Sequence, residues 1–149
     1  MSTGAFCNRE VVIAERSTEI ITLAQLMRKH HVGDVVVVDK QGEKVVPIGV
    51  ITDRDIVVEL VAAEQDLASV TANDLISREL VTGLDTESIW DALQRMRRRG
   101  IRRMPVVNDV GSLEGILTVD DIIELLADEL SMLAAIAGRS REQEQKTRD

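Results

Sequence analysis

The sequence predicts a mixed α+β (α/β) protein built from two tandem β-α-β-β-α repeats that pack together with pseudo-twofold symmetry. Three observations predict it: an internal duplication, one hydrophobic rhythm shared by both copies, and a composition rich in aliphatic side chains. A shift of 69 residues lays Arg9, Glu10, Val12, Ile20, Gln25 and Met27 on the identical residues Arg78, Glu79, Val81, Ile89, Gln94 and Met96. Further on the shift becomes 66, because Gly49, Thr52, Asp55 and Ile56 match Gly115, Thr118, Asp121 and Ile122. The first copy therefore carries three extra residues, placed between Asp39 and Val46 around the turn at Gln41-Gly42.

Each copy opens with a short apolar strand, Val11 to Ile13 or Leu80 to Thr82, followed by a helix N-cap expected at Ser17 or Thr86. The helix face comes from Ile20, Ile21, Leu23, Ala24 and Met27 in the first copy and from Ile89, Trp90, Leu93 and Met96 in the second. Gly33 and Gly100 break these helices before two aliphatic runs, Val35 to Val38 and Met104 to Val107, of the kind found in buried strands. A turn leads back through Pro47 to Ile51 or Leu113 to Leu117. Second helices then run from about Asp53 to Glu64 and from about Val119 to Ala137. The expected boundaries are residues 2–66 for the first repeat and 71–137 for the second, with a flexible charged tail over 138–149. A lone repeat of this size exposes too much surface, so two copies form the natural stable unit.

With 149 residues, 44% hydrophobic and 30% charged, the chain can bury a core. Its one Phe, one Trp and absent Tyr leave almost no stacking platform for single-stranded nucleic acid, and a net charge of -8 opposes generic phosphate-backbone binding. Nucleic acid is therefore not expected as the main partner. A single cysteine excludes an internal disulfide and multi-cysteine zinc sites, which points to a reducing cytoplasmic location. We read neither a signal peptide nor a membrane span. Cys7 aligns with Ile76 and is read as a small buried side chain.

The most informative segment is Gly49-Val50-Ile51-Thr52-Asp53-Arg54-Asp55-Ile56, echoed by Gly115-Ile116-Leu117-Thr118-Val119-Asp120-Asp121-Ile122. Both copies lie at a strand-to-helix junction. The simplest role is a capping box, in which Thr accepts a backbone N–H and the acid three residues on reaches back. The same geometry offers free N–H groups and partial positive charge to an anion, with a carboxylate placed to accept bonds from ribose hydroxyls. Asp53 with Asp55, and Asp120 with Asp121, could also hold magnesium, although the spacing alone says little. No serine or cysteine pairs with a suitable base, and His30 and His31 are adjacent on a helix end, so catalysis and metal binding are not expected.

These blocks, together with Gly100-Ile101-Arg102-Arg103-Met104-Pro105-Val106-Val107, resemble the CBS domain family, whose repeats carry Gly-apolar-apolar-[Ser/Thr]-x-x-Asp and occur in tandem pairs called Bateman modules. The resemblance covers nearly everything from Ser2 to Ala137. It implies a non-catalytic regulatory module that binds AMP, ADP or ATP, or alternatively NAD(H) or S-adenosylmethionine, in clefts between repeats. It also implies a homodimer acting on an unknown effector protein. By position, cleft one would combine Thr52, Arg54 and Asp55 with Val81, Thr82, Ile101, Arg102, Arg103, Met104 and Pro105. Its three arginines suit phosphates. Cleft two would combine Thr118, Asp120 and Asp121 with Val11, Val12, Val32, Gly33, Asp34 and Val35. There Asp34 stands where Arg103 stands, and Val36 replaces the proline, so two unequal sites are expected. The competing reading is a structural dimerisation module with vestigial clefts. The stripe Ile122, Leu126, Leu130, Leu133 and Ala137 would serve either the internal core or a partner subunit.

Overall fold

A computed structural model describes residues 1–76 and 79–148, so Arg78, one of the matched identities, lies outside the described residues. The chain divides into two compact units, residues 1–117 and residues from 118 onward. Unit 1 holds two three-stranded sheets of like topology, the last strand running one residue past it. In the first sheet, β1 (Ile13–Ala14) pairs in parallel with β2 (Asp34–Gln41), which pairs antiparallel with β3 (Lys44–Thr52). In the second, β4 (Gly83–Leu84) pairs in parallel with β5 (Arg103–Val107), and β6 (Leu113–Thr118) lies on the other side of β5. Helices α2 (Ile20–His30) and α5 (Ile89–Arg99) fill the crossovers.

The four valines of β2 explain why this strand reads as an unbroken aliphatic run. Val35 and Val37 belong to a core with Ile20, Leu23 and Ile51 of their own repeat. Val36 and Val38 belong to a different cluster with Ile116 of the second repeat. Both faces of the strand are covered, and all four side chains are essentially inaccessible. The three extra residues lengthen the β2–β3 hairpin, which closes with Gln41 opposite Lys44 and Gly42 at a φ of 66°.

Each repeat lends its leading segment to the other. Helix α1 (Thr3–Phe6) docks on the second repeat, where the Thr3 N–H donates to Glu87 O (2.9 Å) and the Gly4 N–H to Asp85 O (2.8 Å). Helix α4 (Ala72–Leu75) docks on the first, the Ala72 N–H donating to Thr18 O (2.8 Å) and the Asn73 N–H to Arg16 O (2.9 Å). The shift of 69 found in the sequence carries each of these bonds onto the other. Bridges between Ser2 and Ser88 and between Glu19 and Thr71 obey the same shift. Thr3 and Ala72, the equivalent residues, are both fully buried.

This exchange corrects the expected starts of the strands and helices. The opening strands begin at Ile13 and Gly83 rather than at Val11 and Leu80, and the helix N-caps are Glu19 and Ser88 rather than Ser17 and Thr86. A turn precedes each helix, closed by the Thr18 N–H on Glu15 O (3.1 Å) and the Glu87 N–H on Leu84 O (3.2 Å). The residue after it is held extended by the bridge to the opposite repeat, which delays the first helical residue.

The left-handed position that ends each first helix is Gly100 in the second repeat (φ 65°) but His31 in the first (φ 54°), not Gly33. A side chain with a Cβ is strained there, by roughly 1 kcal/mol. We expect His31→Gly to stabilise the fold by about 1 kcal/mol, read as a raised denaturation midpoint with an unchanged denaturant slope. An unchanged or lowered midpoint would contradict this assignment.

The second helices differ between repeats. In the first, α3 (Asp53–Asp55) passes into a π-helical segment, Ile56–Val61, closed by the Ala62 N–H on Val57 O (2.9 Å). In unit 2, α6 (Val119–Arg148) is a single regular helix of 30 residues that continues through residues 139–148. Ile122 is buried, whereas every residue from Leu126 to Arg148 is exposed.

Candidate functional site

Unit 1 contains a cavity of about 600 Å³, within the range of about 300–1,000 Å³ that small-molecule sites occupy. Its walls come from both repeats. Gly49, Val50 and Thr52 of β3 and Asp55 of α3 form one side, with Glu59 and Leu60 of the π segment. Val81, Ile101, Arg102 and Arg103 form the other, and Gln65, Val70, Asp74, Leu75, Ile76, Glu79 and Leu80 line the remainder. Of the residues expected in cleft one, Thr52, Asp55, Val81, Ile101, Arg102 and Arg103 meet here. Arg54, Thr82, Met104 and Pro105 do not line the cavity. Arg54 is exposed, Met104 and Pro105 are buried, and the Thr82 carbonyl accepts a bond from Arg95 Nη1 (2.9 Å).

The capping box foreseen at Thr52 is present and belongs to this cavity. The Asp55 N–H donates to Thr52 Oγ1 (3.1 Å), and the Thr52 N–H donates to Asp55 Oδ2 (2.9 Å). Asp55 Oδ1 has no partner among the described residues, so one oxygen fixes the turn while the other stays able to accept a bond. The capping role and the binding role therefore coexist in one side chain. In unit 2 the equivalent pair is arranged differently. Thr118 Oγ1 donates its hydrogen to Asp121 Oδ2 (2.7 Å) and accepts from the Asp121 N–H (3.1 Å), which uses up the hydroxyl hydrogen.

Room for the cavity wall comes from Gly49. A Cβ there would lie 2.9 Å from two carbon atoms of Ile76, so only glycine lets the connecting segment approach β3 this closely. The symmetry-related pair is Gly115 and Cys7, where a Cβ would meet Cys7 Sγ at 2.6 Å and Asn8 O at 2.7 Å. Burial raises the Cys7 thiol above its ordinary pKa, as suits a packing residue rather than a nucleophile.

Arg103 and Asp34 occupy equivalent positions in the two repeats and meet each other, Nε to Oδ2, at 2.5 Å. Two equivalent residues in contact mark the pseudo-twofold axis. A Cβ on Gly33 would lie 3.4 Å from Arg103 Nη2 and 3.3 Å from Asp53 Oδ2, so this glycine makes space for the guanidinium. Arg103 thus reaches the cavity with much of its charge already answered by a carboxylate. The lining carries four carboxylates, on Asp55, Glu59, Asp74 and Glu79, against two guanidiniums. That balance argues against the phosphate-rich environment expected from three arginines.

In unit 1, the Val12 carbonyl accepts from the Val36 N–H (2.9 Å), the Gly33 carbonyl from the Asp53 N–H (3.0 Å), and Val35 is fully buried. Val11 and Val32 are half-buried, and Asp34 is engaged by Arg103. In unit 2, Thr118 and Asp121 form the pair given above, and Asp120 is exposed. Among the described residues no group of three or more His, Cys, Asp or Glu side chains is placed to hold a metal ion.

Sequence reasoning missed the lining supplied by Val70, Asp74, Leu75 and Ile76. The signal was the duplication itself, since residues 72–75 are the counterpart of residues 3–6 and dock on the opposite repeat.

A chain made of two such repeats, each giving its first segment to the other, is a tandem-repeat pair with a shared cleft. A CBS domain model matches it twice, at residues 4–62 and 72–128, and the chain belongs to the CBS domain family. It is 34% identical over 125 residues to the protein MK0525 of Methanopyrus kandleri, a match covering 84% of this chain and 62% of that relative's length. The CBS domain protein PAE2072 from Pyrobaculum aerophilum, solved in complex with AMP, superposes with a TM-score of 0.72 at 31% identity, covering 81% of this chain and 89% of that one. The CBS domain pair of protein MJ0100, solved with 5'-methylthioadenosine and S-adenosyl-L-methionine, superposes with a TM-score of 0.75 at 23% identity, covering 87% of this chain and 98% of that one, and shows the same fold. No helix among the described residues is long and apolar enough to cross a membrane.

Proposed function

We propose that this protein is a non-catalytic, cytoplasmic regulatory module that senses an adenosine ligand in the cleft of unit 1 and signals, as a homodimer, to a separate effector protein. The observation that carries the reading is the meeting of Thr52, the unengaged oxygen of Asp55, and the aliphatic wall of Val81 and Ile101 in one cavity of ligand size. The AMP complex of PAE2072 supports the ligand class. Asp55 would accept from the ribose hydroxyls, the aliphatic wall would hold the adenine, and Arg102 and Arg103 would face a single phosphate.

The acid-rich lining sets the preference within that class. Each unanswered like-charge contact at about 5 Å costs roughly 1 to 3 kcal/mol, for effective dielectrics between about 80 and about 20. AMP, or an adenosine derivative of lower negative charge such as S-adenosylmethionine, is therefore favoured over ADP and ATP. Titration calorimetry tests this: AMP should bind, and ATP should bind at least tenfold more weakly. ATP binding as tightly as AMP would contradict the charge argument. Saturating AMP at about 100 times its Kd should add about 2.7 kcal/mol and raise the melting midpoint by several degrees. A flat melting response to every adenosine ligand would favour a purely structural module.

A further inference from the structure

We propose that the C-terminal ends of α2 and α5 together form a basic docking surface for a short, carboxylate-rich segment of a protein partner. This rests on the separate effector named above and states the chemistry by which that effector is held. Helix α2 ends in Arg28, Lys29 and His30, and the shift of 69 lays these on Arg97, Arg98 and Arg99 at the end of α5. All six are exposed. Arg28, Lys29, Arg97 and Arg98 make no ion pair among the described residues, and Arg99 reaches Glu79 only at 3.9 Å.

The fold brings the two ends near each other. Asp34 and Arg103 touch at the pseudo-twofold axis, three residues beyond His31 and Gly100, the left-handed positions that close the helices. Equivalent points of a twofold lie level along its axis, and three residues of chain span at most about 10 Å, so the helix ends lie level and no more than about 30 Å apart. Helix stability does not account for their charge. The dipole favours bases in the last turn, and an acid one turn earlier stabilises an exposed base. The residues four before Arg28, Lys29, Arg97 and Arg98 are Ala24, Gln25, Leu93 and Gln94, none of them acidic.

The rest of the chain selects the occupant. With 26 acids and a net charge of -8, the molecule repels a polyanion that runs past the patch by more than the Debye length, about 8 Å at physiological salt. Nucleic acid and an anionic membrane surface both do so, and neither cluster holds a Phe, Trp or Tyr to stack a base. A short acidic segment meets the patch alone, and arginine forks match its carboxylates. Ile101, two residues after Arg99, begins the stretch that lines the cavity, so the segment docks at the edge of the cleft.

The test is fluorescence anisotropy of labelled decaglutamate, which spans about 30 Å when extended, with the full chain at about 0.05 M salt. Decaglutamate should bind, and tetraglutamate, which reaches one helix end only, should bind at least tenfold more weakly. Arg97→Glu with Arg98→Glu should weaken decaglutamate at least tenfold, and Arg28→Glu with Lys29→Glu should do the same from the other helix. Arg97→Gln with Arg98→Gln, which adds no acid, should show the same trend, with the melting midpoint held because both side chains are exposed. Arg139→Glu with Arg141→Glu, in unit 2, should change the affinity less than twofold. Equal affinity for the two peptides, an equal effect of charge reversal in unit 2, or tighter binding of decauridylate or of phosphatidylserine vesicles would overturn the proposal. No AMP enters these measurements, so a failure here leaves the ligand reading standing.

Discussion

Asp55→Ala should weaken AMP binding between about tenfold and about 150-fold. A charge-assisted hydrogen bond is worth roughly 1.5 to 3 kcal/mol, and each 1.4 kcal/mol is about a factor of ten in affinity. The same carboxylate caps its helix through the Thr52 N–H, so the variant should also lose about 1 kcal/mol of stability. The two losses separate through Asp55→Asn, whose amide oxygen can still accept from Thr52 but brings no charge to the ribose. Asn should recover most of the stability and only part of the affinity. Titration calorimetry beside denaturant melts reads both quantities, and unchanged AMP affinity in the alanine variant would refute the ribose assignment.

Gly115→Ala should destabilise the fold by about 1 to 3 kcal/mol, the range typical of forced overpacking. The added carbon would meet Cys7 Sγ, which a rotamer change could relieve, and Asn8 O, which it could not. Asn8 is held in place because its carbonyl accepts from the Ile116 N–H (2.9 Å) and its own N–H donates to Ile116 O (2.9 Å). The strain therefore has to lift the borrowed N-terminal segment off the second repeat. Adding Cys7→Ala should restore only part of the loss. At Gly49 the three nearest atoms among the described residues all belong to the Ile76 side chain, so Gly49→Ala should be milder, and shortening Ile76 should offset more of it. Equal costs at the two glycines, measured by thermal melting, would argue against this difference.

The duplicated architecture was legible because identities recur in one register, some of them buried, as Ile20 with Ile89 and Met27 with Met96, and others exposed, as Arg9 and Gln25. Val35 to Val38 announced a strand covered on both faces, and the hairpin insertion at Gln41-Gly42 lies where the change of shift placed it. Less legible was which repeat each leading segment packs on. Thr3 and Ala72 look the same in one dimension whether they dock at home or across the axis, and it is the crossing that shifted the helix starts from Ser17 and Thr86 to Glu19 and Ser88. His31 was hidden because Gly33, two residues away, reads as the helix breaker, yet Gly33 is small to admit Arg103. The mutual contact of Arg103 and Asp34 could not be read from either position alone. It emerges only when equivalent residues of a duplicated chain are placed on one axis, whereas the acid lining of the cleft comes from Glu59, Asp74 and Glu79 beside Asp55.

The most direct measurement is a crystal structure of the full chain grown with AMP. The nucleotide should lie in the cavity of unit 1, its ribose hydroxyls on the Asp55 carboxylate and its adenine against Val81 and Ile101. AMP bound elsewhere on the chain, with that cavity closed by Ile76 or by Arg103, would contradict the account.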